Sequence, residues 1–262
     1  MRCLFCKENS DSSKSIEHII PESLGNTTLT LRPGVVCDKC NNYFARKVEK
    51  PFLDSGALKN LRFHQGVENK KGRLPVIDAL LDNEFSAKLS WFPRAERFPG
   101  SLELGLDGIK HIFQTNKKSG LIVPKNFEPP PERIASRFLA KVALEAMAAR
   151  LTQYPDGLEY LVDETQLDLI RNHARRGQPK NWPIHTRRIY DPNRKIVGEN
   201  GEPLQTVHES DILLTDAGEW YFILAIFGLE LVINYGGPEI EGYKRWLSEN
   251  NNTSPLYHGK NA

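Results

Sequence analysis

The chain has 262 residues, 39% hydrophobic and 26% charged, a globular composition that excludes disorder, collagen and coiled coil. Its 35 basic and 33 acidic residues leave a formal charge of +2, so any attraction to a polyanion has to be local. The longest apolar run, Trp220 to Tyr235, is shorter than the ~20 residues of a spanning helix and carries Glu230, so no membrane span is expected.

The first element in chain order is a pair of cysteine knuckles. Cys3-x-x-Cys6 and Cys37-x-x-Cys40 are the only four cysteines, with thirty residues between the pairs. Met1 is followed at once by Arg2 and Cys3, so no signal peptide is expected. A reducing, cytoplasmic compartment follows, with thiols or metal ligands rather than disulfides. Two C-x-x-C turns can close a tetrahedral four-thiolate cage, which Zn²⁺ accepts in structural sites. A closed cage leaves no open position for water, so this zinc is expected to brace the fold and not to catalyse. Residues 1–60 hold few apolar side chains, and a unit of that size needs such a staple. A helix is predicted from about Asn41 to Glu49, ended by Pro51.

Residues 61–73 read as a polar linker. Residues 74–250 read as a larger mixed domain, and residues 251–262 as a flexible tail. From Leu74 to Val123 the pattern is strand-like, cut by turn signals at Pro93, Pro99-Gly100, Asp107-Gly108 and Ser119-Gly120. A proline-rich connector from Asn126 to Pro131 leads to the clearest helix, Glu132 to Leu151. A second helix is predicted from Glu164 to Arg175. Strands follow near Ile184–Tyr190, Gln205–Leu214, Glu219–Phe227 and Leu229–Tyr235. The fold class is therefore α+β. Between Gln166 and Lys195 eight basic side chains, among them Arg175, Arg176, Arg187 and Arg188, face two acids. Such a stretch either tracks a phosphate backbone or forms a solvated face.

The chemistry lies between the knuckles. Glu17-His18 sets a carboxylate beside an imidazole in an apolar run closed by Pro21, and Asn41-Asn42 follow the last cysteine. Hydrolysis of a phosphodiester needs a base that titrates near neutrality, as histidine does, and a cation to offset developing charge. Mg²⁺ prefers oxygen ligands and keeps several waters, so a carboxylate and an amide oxygen suffice. Neighbouring strand residues point to opposite faces, so Glu17 and His18 share one site only where the strand ends or bends.

The series C-x-x-C, E-H-I-I-P, C-x-x-C-N over residues 3 to about 50 resembles the zinc-bearing branch of the HNH endonuclease superfamily, whose fold is ββα-metal. The resemblance implies His18 as general base, and Glu17 and Asn41 as ligands of one catalytic Mg²⁺ or Mn²⁺. It also implies 5′-phosphate and 3′-hydroxyl products. Glu17 stands where the family often has Asp. Arg32 stands where it has a buttressing asparagine, and Asn26 is the substitute within reach. Asn42 reads as a cap or supporting residue, and Arg46 and Lys47 as phosphate contacts from the helix. The expected activity is DNA cleavage, in a bacterial or phage defence or mobile-element setting. The larger region is left to position substrate, form a homo-oligomer, or receive an activating partner or ligand. The alternatives are a zinc-knuckle nucleic-acid binder that does not cut, and a zinc-stapled interaction or ligand-sensing protein. A binder has no use for a base beside a carboxylate, which favours the nuclease.

Overall fold

A computed structural model describes residues 1–69, 71–91, 100–115, 118–123, 128–197, 203–204 and 206–258. Glu17–His18 (β1) pairs antiparallel with Thr30–Leu31 (β2). A 3₁₀ turn over Glu22–Leu24 follows Pro21 and ends on Gly25, whose φ of 78° suits glycine. The helix after the second knuckle, Asp38–Phe44 (α1), starts three residues before the predicted Asn41. Asp38 stands in its first turn, where a carboxylate complements the helix dipole, and accepts the backbone N–H groups of Lys14 and Ser15. Asn41 is thus inside the helix and is not its cap. Pro51 does not end the run either. A π turn over Ala45–Glu49 loosens the ladder, and Pro51 falls in the first turn of Lys50–Leu53 (α2), where its missing N–H is tolerated. Gly56–His64 (α3) follows.

The middle of the chain forms a four-stranded antiparallel sheet. Its strands are Ile77–Leu81 (β3), Phe85–Trp91 (β4), Gly100–Leu104 (β5) and Leu121–Ile122 (β6), in the order β5-β4-β3-β6. The turn predicted at Asp107-Gly108 is instead the start of a helix, Leu106–Gln114 (α4), with Asp107 as its first-turn acid. The readings at Pro93, Pro99, Asn126, Gln205 and residues 259–262 lie outside the described residues.

The long helix Glu132–Leu151 (α5) has the predicted ends. The helix predicted over Glu164–Arg175 starts four residues later, as Asp168–Arg176 (α7), and a helix that was not predicted, Gly157–Asp163 (α6), precedes it. Between them the Glu164 side chain accepts the Gln166 N–H and opens a 3₁₀ turn. Then come His185–Arg188 (β7), the short pair Ile196–Val197 (β8) and Pro203–Leu204 (β9), and His208–Leu214 (β10), Trp220–Ile226 (β11) and Leu229–Asn234 (β12). The second sheet runs β10-β11-β12-β7, all antiparallel. Phe227-Gly228 closes the β11–β12 hairpin; a Cβ on Gly228 would lie 2.4 Å from the Tyr190 carbonyl oxygen. A last helix, Glu241–Glu249 (α8), was not predicted. The tail expected to be flexible is packed as far as it is described. Ser254 and Leu256 are buried, Ser254 donates to Glu230, and the Tyr257 hydroxyl donates to Glu209 at 2.9 Å.

Helix α5 explains how an N-terminal region with so little apolar content is held. Ala135, Phe138, Leu139, Val142 and Leu144 are fully buried in one cluster that takes in Leu4, Ile20, Val35 and Phe44 on one side and Phe222 and Leu231 on the other. Phe52 stacks on Phe138 with ring centroids 3.9 Å apart. Arg171 of α7 is buried and donates to the Leu4 carbonyl at 3.0 Å, while Lys7 reaches Asp168 at 2.6 Å. The first knuckle is thus tied to α7 by charge and to α5 by apolar contact.

Candidate active site and metal knuckle

The four cysteine sulfurs lie within 4.8 Å of one another, with Cys6 and Cys37 at 3.7 Å. That is the edge of a tetrahedron around an ion with sulfur bonds of about 2.3 Å and far too long for a disulfide. The Cys40 thiol and backbone N–H groups hold the Cys3 sulfur as a thiolate, bringing its pKa down to about 4. Burial pushes Cys6 up to about 11, as crowded thiols without a cation must be. The donor set fits structural zinc. Among the described residues this is the one cluster of His, Cys, Asp and Glu arranged for a metal by geometry alone.

Twelve residues beyond the first knuckle the hairpin opens a cleft of about 560 Å³. Glu17, His18, Asn41 and Glu49 line it together. The His18 side chain is 28% exposed; its Nε2 stands 3.3 Å from Glu22 Oε1, and its Nδ1 is buried without a partner. Asn41 holds its place by donating from Nδ2 to the Ile16 carbonyl at 3.4 Å. Strand β1 ends at His18, which lets two consecutive residues serve one cleft.

Glu17 has a partner that sequence reasoning missed. Lys141 of α5, fully buried, places its ammonium 2.7 Å from Glu17 Oε1, 2.6 Å from Glu49 Oε1 and 2.9 Å from Glu145 Oε2, and donates to the His18 carbonyl at 3.1 Å. Glu17 Oε2 is left buried and unpartnered. Glu145, fully buried, is pushed well above the usual carboxylate range by burial and then by Glu17, with Lys141 pulling the other way. Burial opposes the charge on Lys141, but the three carboxylates outweigh it and hold its pKa well above the ordinary lysine value. Burial also pushes the Glu17 carboxyl up, against the pull of Lys141. An orphaned carboxylate oxygen beside the Asn41 amide is an oxygen donor set that fits a hard divalent ion. Lys141 had one sequence signal: a Lys–Glu pair four apart in a helix apolar on nearly every side must be buried and paired.

Replacing Lys141 by Met should therefore cost about 3–5 kcal/mol, because it strands buried carboxylates. Glu145→Gln keeps the side-chain shape and leaves Lys141 paired with Glu17 and Glu49, so it should cost less, within about 1 kcal/mol. Urea unfolding midpoints read both.

Asn26 is 2% exposed and uses its whole amide. Nδ2 donates to the Ile20 and Leu29 carbonyls at 2.6 and 2.9 Å, and Oδ1 accepts from the N–H groups of Thr28 and Leu29 at 3.1 and 2.8 Å. It fastens the loop behind His18 to β2. Asn42, Arg46 and Lys47 are exposed along the helix.

The basic stretch does not form one face. Arg187 is turned inward, its Nε 2.5 Å from the buried Glu230 and its Nη1 donating to the Asn252 carbonyl at 2.8 Å. Arg188 donates to the Phe227 carbonyl at 2.8 Å. These bonds tie both side chains to the second sheet and its surroundings. Arg176 is exposed, and Arg175 is half-buried with its carbonyl accepting from Arg137 and Tyr43. Of the other histidines, His173 is fixed between the Pro179 carbonyl and the Ser136 hydroxyl, and His111 pairs with Asp82.

Residues 3–55 match the family model described as HNH endonuclease, roughly a fifth of the chain. With the four-sulfur cluster, the match is consistent with a zinc-knuckle HNH module followed by a larger α+β region. At the level of that family the match supports a nuclease-type function and implies nucleic-acid binding. No curated protein and no solved structure matches the chain. Among the described residues no helix is long and apolar enough to cross a membrane.

Proposed function

We propose that the protein is a metal-dependent endonuclease that hydrolyses phosphodiester bonds in DNA at the cleft between β1 and α1. The observation that carries this reading is the convergence of Glu17, His18 and Asn41 on one cleft inside the segment that matches the HNH endonuclease family. Glu22 orients the His18 ring through Nε2, so Nδ1 is the atom that takes the proton of the attacking water. Lys141 occupies Glu17 Oε1 and fixes the carboxylate, so Oε2 is the oxygen presented to a cation. Glu17 and Asn41 are the residues that would hold a single Mg²⁺ or Mn²⁺, which when bound offsets charge on the phosphate and the leaving oxygen. Asn26 keeps the His18 loop rigid during this step.

The larger region serves as scaffold through α5 and as the place where an activating ligand would act. A cleft of about 760 Å³ bounded by α5, α6 and the second sheet, with Tyr160 and Trp220 at its walls, is open to such a molecule. A small nuclease module with an appended region of this size suits a bacterial or phage defence or mobile-element role.

Asn41→Ala tests the cation assignment with little disturbance to the fold, since the side chain makes one long hydrogen bond. The Mg²⁺ or Mn²⁺ concentration for half-maximal plasmid cleavage should rise about tenfold or more, with the melting temperature unchanged. An unchanged metal requirement would remove Asn41 from the site.

A further inference from the structure

A nuclease needs more than a base and a cation; something must hold the phosphate itself. Part of the cleft lining comes from outside the segment that matches the family: Arg62 of α3, with Asn69 and Lys71. Arg62 is 5% exposed, and its Nε is buried with no hydrogen-bond partner. Among the described residues its side chain forms no ion pair. The nearest compensating acid, Asp54, acts on it only at a distance and is itself paired with Lys50 at 2.7 Å. A guanidinium stays charged at any pH a protein meets, and leaving its buried Nε–H without an acceptor costs about 1–3 kcal/mol. A protein gains nothing from that in the free state.

We propose that Arg62 is the phosphate clamp of this site: an anionic phosphodiester entering the cleft supplies the partner that the folded chain withholds. The proposal rests on the nuclease reading and adds a substrate-contacting residue to it. The planar fork of Arg suits two phosphate oxygens at once, which the rim lysines Lys50 and Lys71, both exposed, do not replicate. Arg62, His18 and Glu17 line one cleft, and each carries a buried atom without a hydrogen-bond partner: Nε, Nδ1 and Oε2. Two are acceptors, suited to a water and a cation; the third is a donor, suited to the anion between them.

The test compares the zinc-loaded full chain with Arg62→Met and Arg62→Lys. A phosphate clamp predicts that Arg62→Met lowers the cleavage rate at saturating plasmid about 10²–10³-fold. Its urea midpoint should equal or exceed that of the parent, because an unpaired buried charge has been replaced by an apolar chain of similar length. Arg62→Lys should restore only part of the rate. Anisotropy of a fluorescein-labelled DNA duplex in Ca²⁺ should show Arg62→Met binding about tenfold or more weaker. Undiminished cleavage by Arg62→Met, or a loss of stability that accompanies the loss of rate, overturns the proposal. If the parent protein cuts nothing, the nuclease reading fails by itself. Arg62 is then judged by the anisotropy: weaker binding upholds an anion site, and equal binding ends it.

Discussion

Stripping the zinc, with a chelator or by Cys37→Ser, should unfold far more than the knuckle. Metal binding in four-ligand modules of this kind is worth about 10–16 kcal/mol at neutral pH, as much as the whole stability of an ordinary domain, about 5–15 kcal/mol. The knuckle is not an appendage here. Leu4, Val35, Val36 and Cys40 share one apolar cluster with Phe138, Leu139 and Val142 of α5, and Arg171 ties α7 to the Leu4 carbonyl. When the cysteines let go, those contacts lose their frame, and the Lys141 quartet loses Glu17 and Glu49. The expected result is one tightly held zinc per chain by total-metal analysis. A single cooperative thermal transition should fall by about 10 °C or more when the metal is removed. Because the ligands are thiolates, zinc retention should weaken as the pH falls. A metal-free protein that melts where the loaded one does would show that the sulfurs carry no structural load.

How much of this was legible in the sequence depends on how local the signal was. The knuckles, the Glu17-His18 pair and Asn41 lie within forty residues; the cysteine spacing points to a metal, and the resemblance to the HNH superfamily implies that the other three share one site. Helix α5 announces itself by unbroken apolar periodicity, and β11 and β12 by β-branched and aromatic runs around Gly228. The π turn was hidden because Pro51 reads as a stop unless the preceding turn widens to accept it. Helix α4 was hidden because Asp107-Gly108 spells a turn and a helix start equally well. The deeper omissions were of another kind. Lys141 and Arg62 stand 123 and 44 residues from His18 in the chain, and no pattern in one sequence links them to it. Only the fold brings a buried ammonium to Glu17 and sets Arg62 in the cleft that His18 lines. The same reason defeats the basic stretch as a guide: charge counted along the chain does not say that Arg171 and Arg187 point inward.

His18→Ala should bring the largest loss of activity. A positioned general base contributes about 10²–10⁴-fold, and no other imidazole lines the cleft to replace it. The fold should not suffer, since the ring is partly exposed and its ion-pair partner Glu22 is partly exposed too. The carbonyl that Lys141 needs belongs to the backbone and survives the substitution. Conversion of supercoiled plasmid to open-circular or linear DNA, with Mg²⁺ or Mn²⁺ supplied and the melting temperatures matched, is the decisive measurement. The parent chain should cut and His18→Ala should be slower by about 10²–10⁴-fold; equal rates from the two proteins would contradict the hydrolytic site.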